Sequence, residues 1–131
     1  MVARRRRLRL LIADDDPVTR ALLVRSLGFA FQIVGEAGDA TEAVELARSH
    51  RPDAALVDVN MPEGGARTAV PGILAVAPAT AIVVLSTDEA DAVVRELLIA
   101  GAVAYMFKGT DPRELAEAIR RAITVRTSTS Y

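Results

Sequence analysis

Short apolar runs alternate with stretches of helical spacing along most of this chain. LRLLIA (8–13), FQIVGEA (31–37), AALVDV (54–59), AIVVLS (81–86) and AVAYMF (102–107) read as five strands. AIVVLS is apolar at consecutive positions, as a strand covered on both faces should be. The punctuation between the runs predicts helices. Asp16 stands at an N-cap position ahead of Pro17, and that helix runs to about Leu27 with Gly28 as its stop. Asp39 and Glu42 have capping-box spacing and open a helix that ends before Pro52. A further helix is expected from Asp88 to Ala100, ended by Gly101. Asp111, Pro112 and Glu114 repeat the cap, first-position proline and capping-box pattern and open a last helix to about Ile123. The weakest segment is GGARTAVPGILAVAP. Val70, Ile73, Leu74 and Ala77 suit a helix there, but Pro71 and Gly72 interrupt it, so a short or kinked helix is expected.

Strand and helix thus alternate five times with short loops, which implies an α/β fold with a parallel sheet and right-handed crossovers. The expected architecture is doubly wound and flavodoxin-like, with strand order 2-1-3-4-5 and helices on both faces. A basic lead-in over 1–7, one domain over 8–124 and a frayed tail over 125–131 complete the organisation.

Composition narrows the chemistry. The chain has 131 residues, enough for one domain with a real core, and its 16 basic and 17 acidic residues nearly cancel. Bulk charge therefore does not call for a nucleic-acid partner. There is no cysteine, which removes disulfides, thiol nucleophiles and thiolate metal sites together. A single histidine, His50, excludes a histidine-cluster zinc site and is expected to be solvated in a loop before Pro52. Arg4, Arg5, Arg6, Arg7 and Arg9 precede an apolar stretch too short for a signal peptide, and they read as a solvated lead-in. No run approaches the roughly 18 to 20 apolar residues of a membrane span, and a cytoplasmic location is expected.

Polar residues gather where such a fold places its sites, beyond the carboxyl ends of the strands. Strand 1 ends in Asp14 and Asp15, strand 3 in Asp58, strand 4 in Ser86 and strand 5 in Lys108. Converging carboxylates repel, and a hard divalent cation such as Mg²⁺ resolves that repulsion with a few carboxylates, water and phosphate oxygens. The third aspartate of the run, Asp16, is accounted for as the helix cap. A metal beside one carboxylate, with a lysine and a hydroxyl near, suits phosphoryl transfer to that carboxylate. Asp58 stands alone on the central strand and is the best nucleophile.

These residues resemble the receiver domain of two-component response regulators, over about residues 8 to 124. An acidic pair follows strand 1 (Asp14, Asp15), and the phosphoacceptor position precedes Met-Pro in Asp58-Val59-Asn60-Met61-Pro62. A hydroxyl ends strand 4 (Ser86), and an aromatic stands three before the lysine (Tyr105, Lys108). The resemblance implies phosphoryl transfer to Asp58 from a phosphohistidine on a sensor kinase or phosphotransfer protein, with Mg²⁺. It also implies that the backbone carbonyl of Asn60 joins Asp14, Asp15 and Asp58 as a metal ligand. Ser86 and Tyr105 would relay the change to the face of helix 4, strand 5 and helix 5, which often dimerises. Neither direct nucleic-acid contact nor membrane contact is expected of this domain. Such a protein phosphorylates itself and loses the group slowly to water, so it is a switch more than a turnover enzyme.

Four departures from the family pattern stand out. Gly109 follows Lys108 where proline is common, Glu63-Gly64-Gly65 replaces a commoner Asp-Gly turn, Pro71 interrupts helix 3, and Thr87 is bulkier than usual. The spacing from Asp58 to Ser86 is also a little short. Two other readings use the same residues. A receiver-like fold that is never phosphorylated would be a docking or dimerisation module. Asp14-x-Asp16-Pro17-Val18 also fits the start of a haloacid-dehalogenase-type phosphatase, which needs a further acidic pair after the lysine; only Asp111 and Glu114 follow. A dinucleotide-binding module is excluded, because no G-x-G-x-x-G follows strand 1.

Overall fold

The structure, a computed structural model, describes residues 7–87 and 92–128. Five strands, β1 (Arg9–Ala13), β2 (Gln32–Ala37), β3 (Ala54–Asp58), β4 (Ala81–Ser86) and β5 (Ala104–Phe107), form one parallel sheet in the order β2-β1-β3-β4-β5. Five helices connect and follow them: α1 (Pro17–Leu27), α2 (Ala40–His50), α3 (Gly65–Val76), α4 (Ala92–Ala100) and α5 (Pro112–Ser128).

Alternation along the strands builds two cores. Leu11, Ala13, Ala55, Val57, Ile82 and Val84 pack with Ala43, Ala47, Val70, Ile73 and Leu97 of α2, α3 and α4. The intervening residues Leu10, Ile12, Ala54, Leu56, Val83 and Leu85 pack with Leu27, Phe31, Leu115 and Ile119 on the side of α1 and α5. Up to their last residues, Asp58 and Ser86, the central strands β3 and β4 are apolar because each face meets a helix layer.

Caps follow the sequence closely. Asp16 accepts from the Val18 amide at 3.2 Å and the Thr19 hydroxyl at 2.6 Å, ahead of Pro17 at the start of α1. Asp39 accepts from the Glu42 amide at 2.8 Å, while the Glu42 carboxylate reaches back to Gly38 rather than to Asp39. Asp111 accepts from the Arg113 amide at 2.8 Å. Gly28 closes α1 by donating to Val24, in ordinary right-handed geometry (φ −63°).

Several expectations need correction. Helix α3 is not short: it runs 12 residues, continuing through Pro71. Arg67 and Pro71 are both exposed, so the carbonyl that proline leaves without a helical donor lies on the solvated side. Helix α5 does not end near Ile123 but continues to Ser128. Arg126 explains part of this extension, donating to the Pro78 carbonyl at 2.6 and 3.2 Å. Arg7 and Arg9 are not simply solvated. Arg7 donates to the carbonyls of Gly28 and Phe31, and Arg9 to that of His50, tying the start of β1 to neighbouring loops. His50 belongs to the last turn of α2 and is exposed. Strand β5 begins at Ala104 rather than Ala102. The expected start of the fourth helix at Asp88, and Arg4 to Arg6, lie outside the described residues. No helix among the described residues is long and apolar enough to cross a membrane.

Candidate functional site

Register places the polar strand ends level with one another. Ala13 pairs with Val57, so Asp14 falls beside Asp58; Asp58 pairs with Leu85, and Ser86 with Phe107, one residue before Lys108. Backbone bonds fix each departure from the sheet. Asp14 donates to the Ala37 carbonyl at 2.9 Å, Val59 to Leu85 at 2.9 Å and Lys108 to Ser86 at 2.9 Å.

Asp14, Asp15 and Asp58 converge there, with one carboxylate oxygen from each lying within 4.8 Å of the others. Asp14 is fully buried and Asp58 is 4% exposed, whereas Asp15 faces solvent. Lys108 reaches between the two buried acids, its Nζ 3.1 Å from Oδ2 of each. It donates a hydrogen bond to Asp58. Oδ2 of Asp14 is buried and accepts no hydrogen bond among the described residues; Lys108 is only its ion-pair partner. The other oxygens are used locally: Asp14 Oδ1 accepts from the Asp16 amide at 3.0 Å and Asp58 Oδ1 from the Asn60 amide at 3.2 Å.

The electrostatics express this crowding. Burial pushes the Asp58 carboxyl above its ordinary value, and the nearby Asp14 charge adds to the rise, against the hydrogen bonds from Lys108 and Asn60. Burial alone would lower the Lys108 ammonium, but the carboxylates of Asp58 and Asp14 outweigh it and hold it raised. Asp16 moves the other way: hydrogen bonds from the Thr19 hydroxyl and the Val18 amide keep it below the usual carboxylate range. A fully buried carboxylate oxygen paired only with the Lys108 ammonium, within reach of two more carboxylates, is a donor set that suits a hard divalent cation.

The remaining candidates sit around this centre. Ser86 is buried at the end of β4, and Thr87 beside it is exposed. Asn60 is exposed in the loop after β3. Tyr105 is 39% exposed and packs edge-on against Phe107, their ring centroids 5.8 Å apart. The loop into α3 carries three successive left-handed residues, Glu63 (φ 65°), Gly64 (φ 92°) and Gly65 (φ 63°). That explains the double glycine: a side chain at Gly64 would also overlap Thr68. Gly109 takes φ 89°, a value closed to proline, so the departure after Lys108 changes the loop's backbone and not only its sequence.

Two contacts escaped the sequence reading. Arg20 donates to the Asp14 carbonyl at 2.7 Å and lies 3.7 Å from Glu36, pinning the acidic turn to α1. Its position four residues after the cap Asp16 is legible, but a backbone carbonyl leaves no trace in sequence. Arg67 of α3 forms a two-pronged pair with Glu96 of α4, at 2.9 and 3.2 Å. Asp111 and Glu114, which the phosphatase reading would need as metal ligands, are at the start of α5 and outside the carboxylate cluster.

The chain matches the response regulator receiver domain family over residues 10–120, and it belongs to that family. It is 38% identical over 118 residues to the transcriptional regulatory protein YxjL of Bacillus subtilis, covering 88% of this chain and 54% of that protein. It is 39% identical over 119 residues to the transcriptional regulatory protein PdtaR of Mycobacterium tuberculosis, covering 88% and 57%. The chain thus spans little more than half the length of these curated relatives. Among solved structures, the receiver domain of NarL from Mycobacterium tuberculosis superposes with a TM-score of 0.84 at 28% identity, over 90% of this chain and 97% of that one. The receiver fold and the acidic pocket of Asp14, Asp15 and Asp58 agree with one another, and neither alternative reading gains support.

Proposed function

We propose that this domain takes a phosphoryl group onto Asp58 from a phosphohistidine of a sensor kinase or phosphotransfer protein, with Mg²⁺ bound at the acidic pocket. The observation that carries the proposal is the convergence of three carboxylates around the Lys108 ammonium at the strand ends. Asp14, Asp15, Asp58 and the backbone carbonyl of Asn60 would hold the ion. Bound there, Mg²⁺ supplies positive charge against the phosphoryl oxygens.

The chain's own residues divide the rest. An oxygen of Asp58 forms the new O–P bond while the donor's P–N bond breaks, and the bonding pair leaves with the imidazole nitrogen. Lys108, already donating to Asp58, passes its hydrogen bonds to an oxygen of the transferred group. The Ser86 hydroxyl donates to another. Because Ser86 pairs in register with Phe107, whose ring meets Tyr105, movement of Ser86 is felt first in β5. The readout surface is then α4, β5 and α5, by which two copies would pair. This is a two-state element biased by one new dianionic group.

YxjL and PdtaR are named as transcriptional regulators, and the match covers 54% and 57% of their lengths. We infer that this domain supplies the phosphorylation-dependent switch of a cytoplasmic regulator, with no nucleic-acid contact of its own. Intact mass after exposure to a small phosphodonor tests the proposal: one phosphoryl unit, dependent on Mg²⁺ and absent in Asp58→Asn, is expected.

A further inference from the structure

A cleft of about 400 Å³ opens beside the acidic pocket. Asp15 and Asn60 belong to its lining, together with Gly64, Gly65 and Arg67 from the start of α3 and Val93 of α4. Arg67 is the one basic side chain among the described residues of its lining. Its guanidinium is not free: Nε and Nη2 each donate to a different oxygen of Glu96, at 2.9 and 3.2 Å. Both partners are more than half exposed, at 60% and 55%, so the pair is screened by solvent and open to exchange with another anion.

A phosphodonor approaching this pocket brings a phosphoryl dianion toward a cluster of carboxylates. Resting on the proposal that Asp58 is the acceptor, we propose that Arg67 meets the donor's anion at the cleft, and that Glu96 competes with the donor for the guanidinium. Arg67 would then be a specificity-determining residue for anionic donors, and Glu96 a brake on it. The planar fork that holds two carboxylate oxygens suits phosphoryl oxygens equally.

A pair that only tethers α3 to α4 predicts something different. Either substitution would break the same tether, and both would move the rate in the same direction. Competition predicts opposite directions. The test is the initial rate of phosphoryl uptake, followed by intact mass at saturating Mg²⁺, for wild type, Arg67→Gln and Glu96→Gln. Acetyl phosphate and phosphoimidazole serve as the acyl and histidine-type donors. At low salt Arg67→Gln should slow uptake roughly threefold or more and Glu96→Gln should speed it by a similar factor, both effects shrinking at high salt. A change confined to one donor assigns the contact to that class. Equal directions, or no change in either variant, overturn the proposal.

A second arm keeps the two readings apart. Acetyl phosphate binding to Asp58→Asn, read by NMR shifts of the Gly64 and Gly65 amides, needs no phosphoryl transfer. Weakening by Arg67→Gln and tightening by Glu96→Gln in that background support the role of Arg67 even if Asp58 proves not to be the acceptor. Unchanged or same-direction affinities overturn it even if Asp58 is phosphorylated.

Discussion

Lys108 donates a hydrogen bond across 3.1 Å to Asp58, a partner 50 residues earlier in the chain. The same ammonium lies 3.1 Å from Asp14. One cation thus holds two buried carboxylates that would otherwise repel. Replacing it by methionine, of similar length but uncharged, leaves them uncompensated. Lys108→Met is expected to lower stability by about 1–3 kcal/mol in urea unfolding with EDTA, the lower part of the range because the lysine is partly exposed. Mg²⁺ should restore part of that loss. In an Asp58→Asn background the same substitution should cost less, since the pair it breaks is already gone.

Asp58 provides a pH-dependent test. Its carboxyl is raised in the folded state, chiefly by burial, so the ionised form opposes folding. The unfolded chain loses that proton first as pH rises through the ordinary carboxylate range. Stability therefore falls as pH climbs from there through the folded-state value. Asp58→Asn removes this group. With EDTA present, the variant should be more stable than wild type at neutral pH, and the difference should close as pH falls below the ordinary carboxylate value. Denaturant midpoints at both ends of that window decide it; a difference independent of pH would sink the argument.

The three consecutive aspartates should separate by Mg²⁺ affinity. Asp15 offers an exposed carboxylate oxygen to the cluster, while both oxygens of Asp16 are engaged with Val18 and Thr19 at the start of α1. Asp15→Asn is expected to weaken Mg²⁺ binding about tenfold or more. Asp16→Ser, which keeps a capping oxygen, should leave it within about twofold. Titration calorimetry measures both. Equal losses in the two variants would mean that Asp16 belongs to the metal site.

Much of this site was legible because its residues end strands. Short apolar runs marked β1, β3, β4 and β5, and once those run parallel in the observed order their ends must share a rim, so Asp14, Asp58, Ser86 and Lys108 are gathered by topology alone. What sequence did not reveal depends on contacts with no local signature. Helix α3 passes through Pro71 because the affected carbonyl can face water, and α5 reaches Ser128 with help from a backbone carbonyl 48 residues away. Arg7, Arg9 and Arg20 likewise donate to carbonyls, partners that any residue type supplies. Arg7 and Arg9 therefore read as solvated charge, and Arg20 carries no signal of its own. The left-handed run at Glu63 to Gly65 was half visible: two glycines flagged a turn, but Glu63 did not.

Phosphoryl uptake at Asp58 tests the account most directly. Wild type and Asp58→Asn are incubated with a small phosphodonor, with and without Mg²⁺, and their intact masses compared. One added phosphoryl unit in the wild type with Mg²⁺, and none without the metal or in Asp58→Asn, is the predicted result. An unchanged mass in every sample, or the same adduct on Asp58→Asn, would contradict it.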